Sequence, residues 1–127
     1  MIAHVGWMTV LAIAIAGGLG AALRYGLQVL WPARGTNIPR GVLVANIVGS
    51  FIAGAFAGIT VHISASAFLI VVAGFCGGLT TFSSFAVETV QLHHAGAKRA
   101  AVLNVVTNVV FGLFAAAVGM LLTTVFA

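Results

Sequence analysis

The fold of this chain is decided by one stretch of sequence, Gly77-Gly78-Leu79-Thr80-Thr81-Phe82-Ser83-Ser84-Phe85. It places two glycines, four hydroxyls and two phenylalanines inside a long apolar run, residues 65–90. A Gly-Gly pair followed by Thr-Thr forms helix poorly. Inside a bilayer, a helix break is tolerated only where the freed carbonyls face protein, water or an ion. The stretch therefore predicts a functional site within a membrane-spanning segment.

The composition indicates an integral membrane protein. Only 5% of the 127 residues are charged and 62% are hydrophobic, whereas soluble domains carry about 25% charged residues. Each membrane span needs about 20 residues, so the chain has room for four spans and no soluble domain. We expect an all-α protein with a single membrane domain, residues 1–127, and a break in its third helix. The spans are predicted at about 7–30, 42–61, 65–90 and 100–127.

Polar residues recur at four-residue spacing on spans 2 and 4. Residues so spaced share one helix face, and small residues there let two helices approach closely. Asn46 is harder to explain by packing alone, because its amide is costly to bury without a partner. A functional role and a bond between helices both stay open for it. The two sets are Asn46, Ser50, Gly54 and Gly58 on span 2, and Asn104, Thr107, Asn108 and Gly112 on span 4.

On span 3, the side chains of Thr81, Ser84 and Glu88 share a face, and Phe82 and Phe85 lie on the adjacent one. A single membrane phenylalanine is usually lipid-facing or buried in the core. Two of them, flanked by hydroxyls beside a helix break, favour a functional role.

The few charged and titratable residues indicate no enzyme site. The chain has no Asp and one Glu, so neither a carboxylate pair nor a catalytic triad can be assembled. The histidines lie near span ends and form no plausible metal-ligand set with Cys76, which we interpret as a packing residue. Arg24 could either extend to the lipid headgroups or line a water-filled vestibule. The basic residues are scattered, so no nucleic-acid partner is expected. The histidines are His4, His62, His93 and His94.

These motifs resemble the bacterial Fluc (CrcB) fluoride channels along the whole chain. The most specific match is residues 77–85 followed by Glu88. Supporting matches are Gly18-Leu19-Gly20-Ala21 followed by Arg24, and Gly41 and Leu43 followed by Asn46.

The resemblance implies an antiparallel, dual-topology dimer of four-span subunits with two fluoride pores, in the bacterial inner membrane. Such a channel exports toxic fluoride passively and needs no organic cofactor. By the resemblance, Phe82 and Phe85 line the pores, and Asn46 faces the permeating ion. The expected pore lining is completed by Thr81, Ser84 and Asn108.

The resemblance also implies a structural sodium ion at the dimer centre, held by the backbone carbonyls of Gly77 and Thr80. Arg24 and Glu88 match a vestibule arginine and the acid that follows the phenylalanines. The chemistry of these residues agrees with both expectations. Aromatic ring edges are positive, so the phenylalanine edges can favour a small anion. Hard cations prefer oxygen ligands such as backbone carbonyls.

Two sequence departures leave the polar lining open. Gly41-Val42-Leu43 lacks the hydroxyl of the family's Gly-Thr-Leu run. On span 4 the family often carries Tyr or another polar residue, then Ser, then Ser. Here the corresponding residues are Asn104, Asn108 and Gly112.

The loop charges conflict with dual insertion. All four loop cations lie in loops one and three, and the positive-inside rule then places both termini outside. Either this bias is too weak to fix orientation, or the partner subunit is a different chain with the opposite bias. The cations are Arg34, Arg40, Lys98 and Arg99.

Two other functions fit four spans. One is a small proton-coupled multidrug exporter, which needs a carboxylate deep in the membrane, whereas Glu88 is predicted near a span end. The other is a non-transporting helper subunit that packs through the small residues of span 2. An anion and water beside the two phenylalanines would favour the channel over both.

Overall fold

The computed structural model describes residues 6–126, which form helices joined by short loops. His4, and Ala127 at the end of the fourth predicted span, lie outside the described residues. Helix α1 is Trp7–Leu30, α2 is Arg40–Gly58, α4 is Phe82–His94 and α5 is Lys98–Phe126. Helix α3, residues 65–79, is built from Ala65–Phe68, Leu69–Cys76 and Gly77–Leu79. No strand occurs within the described residues.

Within residues 6–126, four helical segments are long and apolar enough to cross a membrane. They are α1, α2, the 30-residue segment Ala65–His94 that joins α3 to α4, and α5. Their mean hydropathies lie between 1.7 and 2.3, and a span needs about 20 residues. The expected all-helical, multi-pass membrane architecture is therefore confirmed.

The helix ends follow backbone chemistry rather than hydropathy. Helix α2 begins directly after Pro39 and ends at Gly58, three residues before the predicted end of span 2. Helix α4 continues to His94, beyond the apolar run, because its stop signal lies further on at Gly96. Gly96 has a φ of 78°, and its N–H donates to the His93 carbonyl at 3.0 Å. A glycine in this left-handed conformation is a common helix terminator.

Glycines bring two pairs of helices into close contact. A side chain at Gly54 on α2 would collide with the Ala116 carbonyl of α5, and one at Gly119 would collide with the Phe51 carbonyl. The small-residue face of α2 thus packs against α5 of the same chain. Between α1 and α3, a Cβ at Gly78 would collide with the Gly17 carbonyl. These contacts hold the end of α3 against α1.

Helix α3 is mostly a π-helix, because Leu69–Cys76 has the wider π winding. Such segments are rare and often mark functional sites. This one was not predicted from the sequence. It leads directly into the short turn Gly77–Leu79, after which the helix breaks.

Candidate functional site

The predicted helix break consists of two extended residues, Thr80 and Thr81. Their φ and ψ angles are −79° and 155° at Thr80, and −150° and 123° at Thr81. The Thr80 hydroxyl closes the end of α3 by donating to the Cys76 carbonyl at 2.8 Å. The Thr81 hydroxyl opens α4 by accepting the Ser84 N–H at 3.1 Å. Each threonine therefore caps one of the two helix ends that meet at the break.

The diverted N–H groups leave specific carbonyls without their helical partners. In a continuous helix, the Gly77 carbonyl would accept the N–H of Thr81, and the Thr80 carbonyl would accept that of Ser84. Here the Thr81 N–H donates to Asn46 and the Ser84 N–H donates to the Thr81 hydroxyl. The two carbonyls that lose these partners are those assigned to sodium by the resemblance.

Asn46 binds both backbone polar groups of Thr81. Its Oδ1 accepts the Thr81 N–H at 2.8 Å, and its Nδ2 donates to the Thr81 carbonyl at 3.2 Å. The same Nδ2 donates to Oδ1 of Asn108 at 2.9 Å. Because a carboxamide has two donor hydrogens, both are used inside the chain. Asn46 would donate to a passing anion only by releasing Thr81 or Asn108.

Arg24 lies beside the break. Its side chain is half-buried, and its Nη1 lies 3.5 Å from the Thr80 carbonyl. This is a long contact that occupies at most one lone pair of that oxygen. The guanidinium therefore faces protein, and Arg24 is not among the residues around Glu88.

Phe82 and Phe85 form one wall of an open groove of about 340 Å³, which we call the Phe groove. Their ring centroids are 5.6 Å apart with the planes inclined at 56°. Phe82 is 79% exposed, so residues 6–126 leave one side of the groove without a wall. The groove is lined by Asn46, Ser50, Thr80, Thr81, Phe82, Phe85, Asn108 and Val109.

Ser84 and Glu88 line a second space, which we call the Glu88 cleft. It measures about 440 Å³ and includes Trp31 and Pro32 of the first loop. The predicted face of α4 is therefore divided, with Thr81 in the Phe groove and the other two in the Glu88 cleft. A hydrogen bond of 3.2 Å between the Thr81 and Ser84 hydroxyls joins the two spaces. Oε2 of Glu88 is buried without a hydrogen-bond partner among the described residues.

The structure adds three residues to the site or its surroundings that the sequence did not predict there. Ser50, interpreted as packing, lines the Phe groove together with Val109. The four-residue spacing from Asn46 was the signal for Ser50. Asn104, left unassigned, is 1% exposed and donates to the Thr89 hydroxyl at 2.9 Å.

The residues at the break fit a hard cation better than a transition metal. No group of three or more His, Cys, Asp or Glu side chains that could hold a metal occurs within residues 6–126. Gly77 is exposed, and its carbonyl and that of Thr80 have lost their usual helical partners. Backbone carbonyl oxygens suit sodium-like ions, and one chain offers two of them.

The sequence profile described as "CrcB-like protein, Camphor Resistance (CrcB)" matches residues 11–120. A protein of Renibacterium salmoninarum named "Fluoride-specific ion channel FluC" is 40% identical, covering 89% of this chain and 97% of the relative. Proteins of the same name from Rhodospirillum rubrum and Pseudomonas syringae pv. maculicola are 44% and 41% identical. They cover 84% and 89% of this chain, and 87% and 91% of their own lengths. By this similarity along nearly its whole length, the chain belongs to the CrcB family.

Proposed function

We propose that the chain forms a fluoride-selective channel that lets toxic fluoride leave the cell passively. The observation that carries this function is the Phe groove, in which two phenylalanines stand beside a helix break inside the apolar segment Ala65–His94. The names of the family relatives point to the same ion. The chain is a channel protein and not an enzyme.

The chemistry of the groove suits a small anion. Aromatic ring edges are positive, and the rings of Phe82 and Phe85 are inclined so that edges as well as faces can meet an ion. Ser50 brings a hydroxyl donor to the groove, whereas the Thr80 and Thr81 hydroxyls donate to Cys76 and Ser84. No carboxylate lines it, so no fixed negative charge opposes the anion. Such weak contacts, spread over several groups, allow an ion to enter and also to leave.

Passive export follows from the acid chemistry of fluoride. Undissociated HF crosses lipid and dissociates at the higher pH of the cytoplasm, so trapped fluoride can leave through a channel down its gradient. We place the protein in the bacterial inner membrane, where neither ATP nor an organic cofactor is needed.

Expression in a bacterium that lacks its own fluoride exporter tests this function. We expect the chain to restore growth in fluoride, and the same strain with an empty vector to stay sensitive. Unchanged sensitivity, with the protein present in the membrane fraction, would contradict the function.

The proton-coupled exporter predicts a different dependence on pH. Glu88, the only acid of the chain, lies beside the first loop and outside the Phe groove. We therefore expect fluoride efflux from vesicles to follow the fluoride gradient and the membrane potential. Collapse of an imposed proton gradient at constant membrane potential should leave the rate of fluoride efflux unchanged. The transport rate of a proton-coupled exporter would fall under the same treatment.

A second subunit completes the groove in this proposal. Phe82 is 79% exposed and the groove is open on that side, where an antiparallel copy would supply the missing wall. Loops one and three lie at the same end of the chain, because Asn37 and Ala95 of these loops line one cleft. Arg40 and Arg99, in the first turns of the helices that follow the loops, line another. An inverted copy would therefore place basic loops at both membrane surfaces.

Cysteine labelling is expected to show both orientations in cells. In a Cys76→Ala background, His62→Cys and His94→Cys place exposed labels at opposite ends of the chain. Neither histidine has a positive φ angle, so a cysteine can adopt the backbone conformation at both sites. Partial labelling of each site by an impermeant reagent is expected for dual insertion. Labelling at one site only would instead show a fixed orientation and require a different, oppositely oriented partner.

A sodium ion, held by the Gly77 and Thr80 carbonyls of both subunits, is proposed to stabilise the dimer. The Thr80→Val variant keeps the methyl group that packs at Gly49 and loses only the hydroxyl bond to Cys76. We expect it to cost about 1 kcal/mol and to keep its response to sodium. The measurement is the melting temperature of the purified dimer in sodium against N-methylglucamine. Equal melting temperatures in both cations would contradict the sodium site.

A further inference from the structure

A continuous set of side-chain hydrogen bonds, which we call the amide bridge, connects α2, α5 and α4. Its members are Asn46, Asn108, Asn104 and Thr89. The Asn46 amide donates to Oδ1 of Asn108 at 2.9 Å. The Asn108 amide donates to Oδ1 of Asn104 at 3.1 Å, and the Asn104 amide donates to the Thr89 hydroxyl at 2.9 Å. Three carboxamides are thus joined head to tail.

Both ends of the amide bridge are attached to the backbone that carries the phenylalanines. At one end, Oδ1 of Asn46 accepts the N–H of Thr81 at 2.8 Å. At the other end, the Thr89 hydroxyl donates to the carbonyl of Phe85 at 2.7 Å. The first turn of α4, which presents Phe82 and Phe85, is therefore held at both of its ends.

The hydroxyl proton of Thr89 sets the orientation of Asn104, which joins α5 to α4. Thr89 has one hydroxyl hydrogen, and it is directed to the Phe85 carbonyl. The Thr89 oxygen must therefore accept from the Asn104 amide, which turns the Asn104 carbonyl oxygen toward Asn108. Backbone groups orient the other two amides in the same direction. The Asn104 backbone carbonyl can only accept from the Asn108 amide, and the Thr81 N–H can only donate to Oδ1 of Asn46. Loss of the hydroxyl removes the acceptor of the Asn104 amide and so detaches the bridge from α4.

The central members are buried, so a broken link is costly. Asn104 is 1% exposed and Asn108 is 8% exposed. Asn108 also donates to the backbone carbonyl of Asn104 at 2.9 Å, so its amide is fully occupied. A buried carboxamide that loses a partner bears the desolvation penalty of its unpaired group. This favours an intact bridge over one with a free link.

We propose that Asn104 and Thr89 are positioning residues that hold the Phe82–Phe85 turn in place for anion passage. The inference rests on the proposed function of the Phe groove. Neither residue lines that groove, so both act through the backbone and through Asn108 and Asn46. In this proposal, the side chains of Asn104 and Asn108 on α5 brace the phenylalanines rather than donate to fluoride.

Matched variants separate the bridge from general packing. Thr89→Val keeps shape but removes the hydroxyl, and Thr89→Ser keeps the hydroxyl. Asn104→Leu removes the central carboxamide. Thr107→Val is the control, because within the described part of the chain the Thr107 hydroxyl bonds only to backbone carbonyls of its own helix, at Leu103 and Asn104.

Fluoride efflux from liposomes gives the first readout. We expect Thr89→Val and Asn104→Leu to lower the rate about tenfold, equivalent to about 1.4 kcal/mol, and to admit more chloride. Thr89→Ser and Thr107→Val should stay within about twofold of the unmodified chain. The proposal would be overturned if both Thr89→Val and Asn104→Leu conducted fluoride and excluded chloride as well as the unmodified chain does. It would also be overturned if Thr89→Ser or Thr107→Val lost as much fluoride flux as these two variants.

Backbone hydrogen exchange over residues 81–89 gives a readout that needs no fluoride flux. We expect faster exchange in Thr89→Val and Asn104→Leu, and unchanged exchange in Thr107→Val, because opening of the first turn of α4 becomes easier. If the unmodified chain carries no fluoride but the variants show this exchange pattern, the channel proposal fails and the amide bridge stands. Unchanged exchange in both disruptive variants would overturn the bridge.

Discussion

Replacement of Phe85 or Phe82 with isoleucine is expected to lower fluoride flux by about tenfold or more, equivalent to at least about 1.4 kcal/mol. Isoleucine is apolar but lacks the positive ring edge that favours an anion. The two rings form one wall of the Phe groove at a centroid separation of 5.6 Å. Either substitution therefore removes half of the aromatic wall.

The measurement is fluoride efflux from liposomes, with gel filtration to show that the dimer persists. Phe111→Ile is a matched control, because Phe111 is 49% exposed on α5 and does not line the groove. We expect the control to stay within about twofold of the unmodified chain. Full flux in both groove variants would rule out the phenylalanines as pore residues.

Substitution of Asn46 by aspartate is expected to remove nearly all flux. Aspartate cannot donate the two amide bonds that reach the Thr81 carbonyl at 3.2 Å and Oδ1 of Asn108 at 2.9 Å. If ionised, it directs negative charge at two acceptor oxygens and into the Phe groove. Asn46 is half-buried, and a charge that faces unpaired acceptor oxygens there is unfavourable. We therefore expect Asn46→Asp to disturb the geometry of the helix break and also to oppose the entry of an anion.

The same substitution at an exposed site provides the control. Asn37 lies in the first loop and is exposed, so Asn37→Asp should change fluoride efflux by no more than about twofold. Conduction by Asn46→Asp at the rate of the unmodified chain would show that Asn46 only fills space.

The four spans and the break could be predicted from the sequence because each depends on local residue chemistry. The apolar runs set the spans, and Gly77 to Thr81 cannot continue a helix without cost. The π winding of Leu69–Cys76 could not be predicted in this way. Its residues are uniformly apolar, and the close fit of Gly74 and Gly78 against α1 is a tertiary constraint.

The site could be predicted only as a set of residue types. Helical spacing put Thr81, Ser84 and Glu88 on one face, but the extended backbone at Thr81 lies before α4 begins and turns its side chain toward another space. The roles of Asn46 and Asn104 depend on partners far along the chain, Asn108 and Thr89. Residue spacing within one helix holds no information on such pairs. The ion contacts of these residues stay predictions.

The most direct test of the central claim is fluoride efflux from liposomes that contain only this purified chain. With a potassium ionophore present to balance charge, a fluoride electrode records release, and chloride-loaded liposomes of the same preparation measure selectivity. If the chain alone forms a fluoride channel, fluoride-loaded liposomes should release their fluoride rapidly, whereas chloride-loaded liposomes should retain their chloride. Retention of fluoride equal to that of protein-free liposomes, from a folded and dimeric preparation, would contradict the claim.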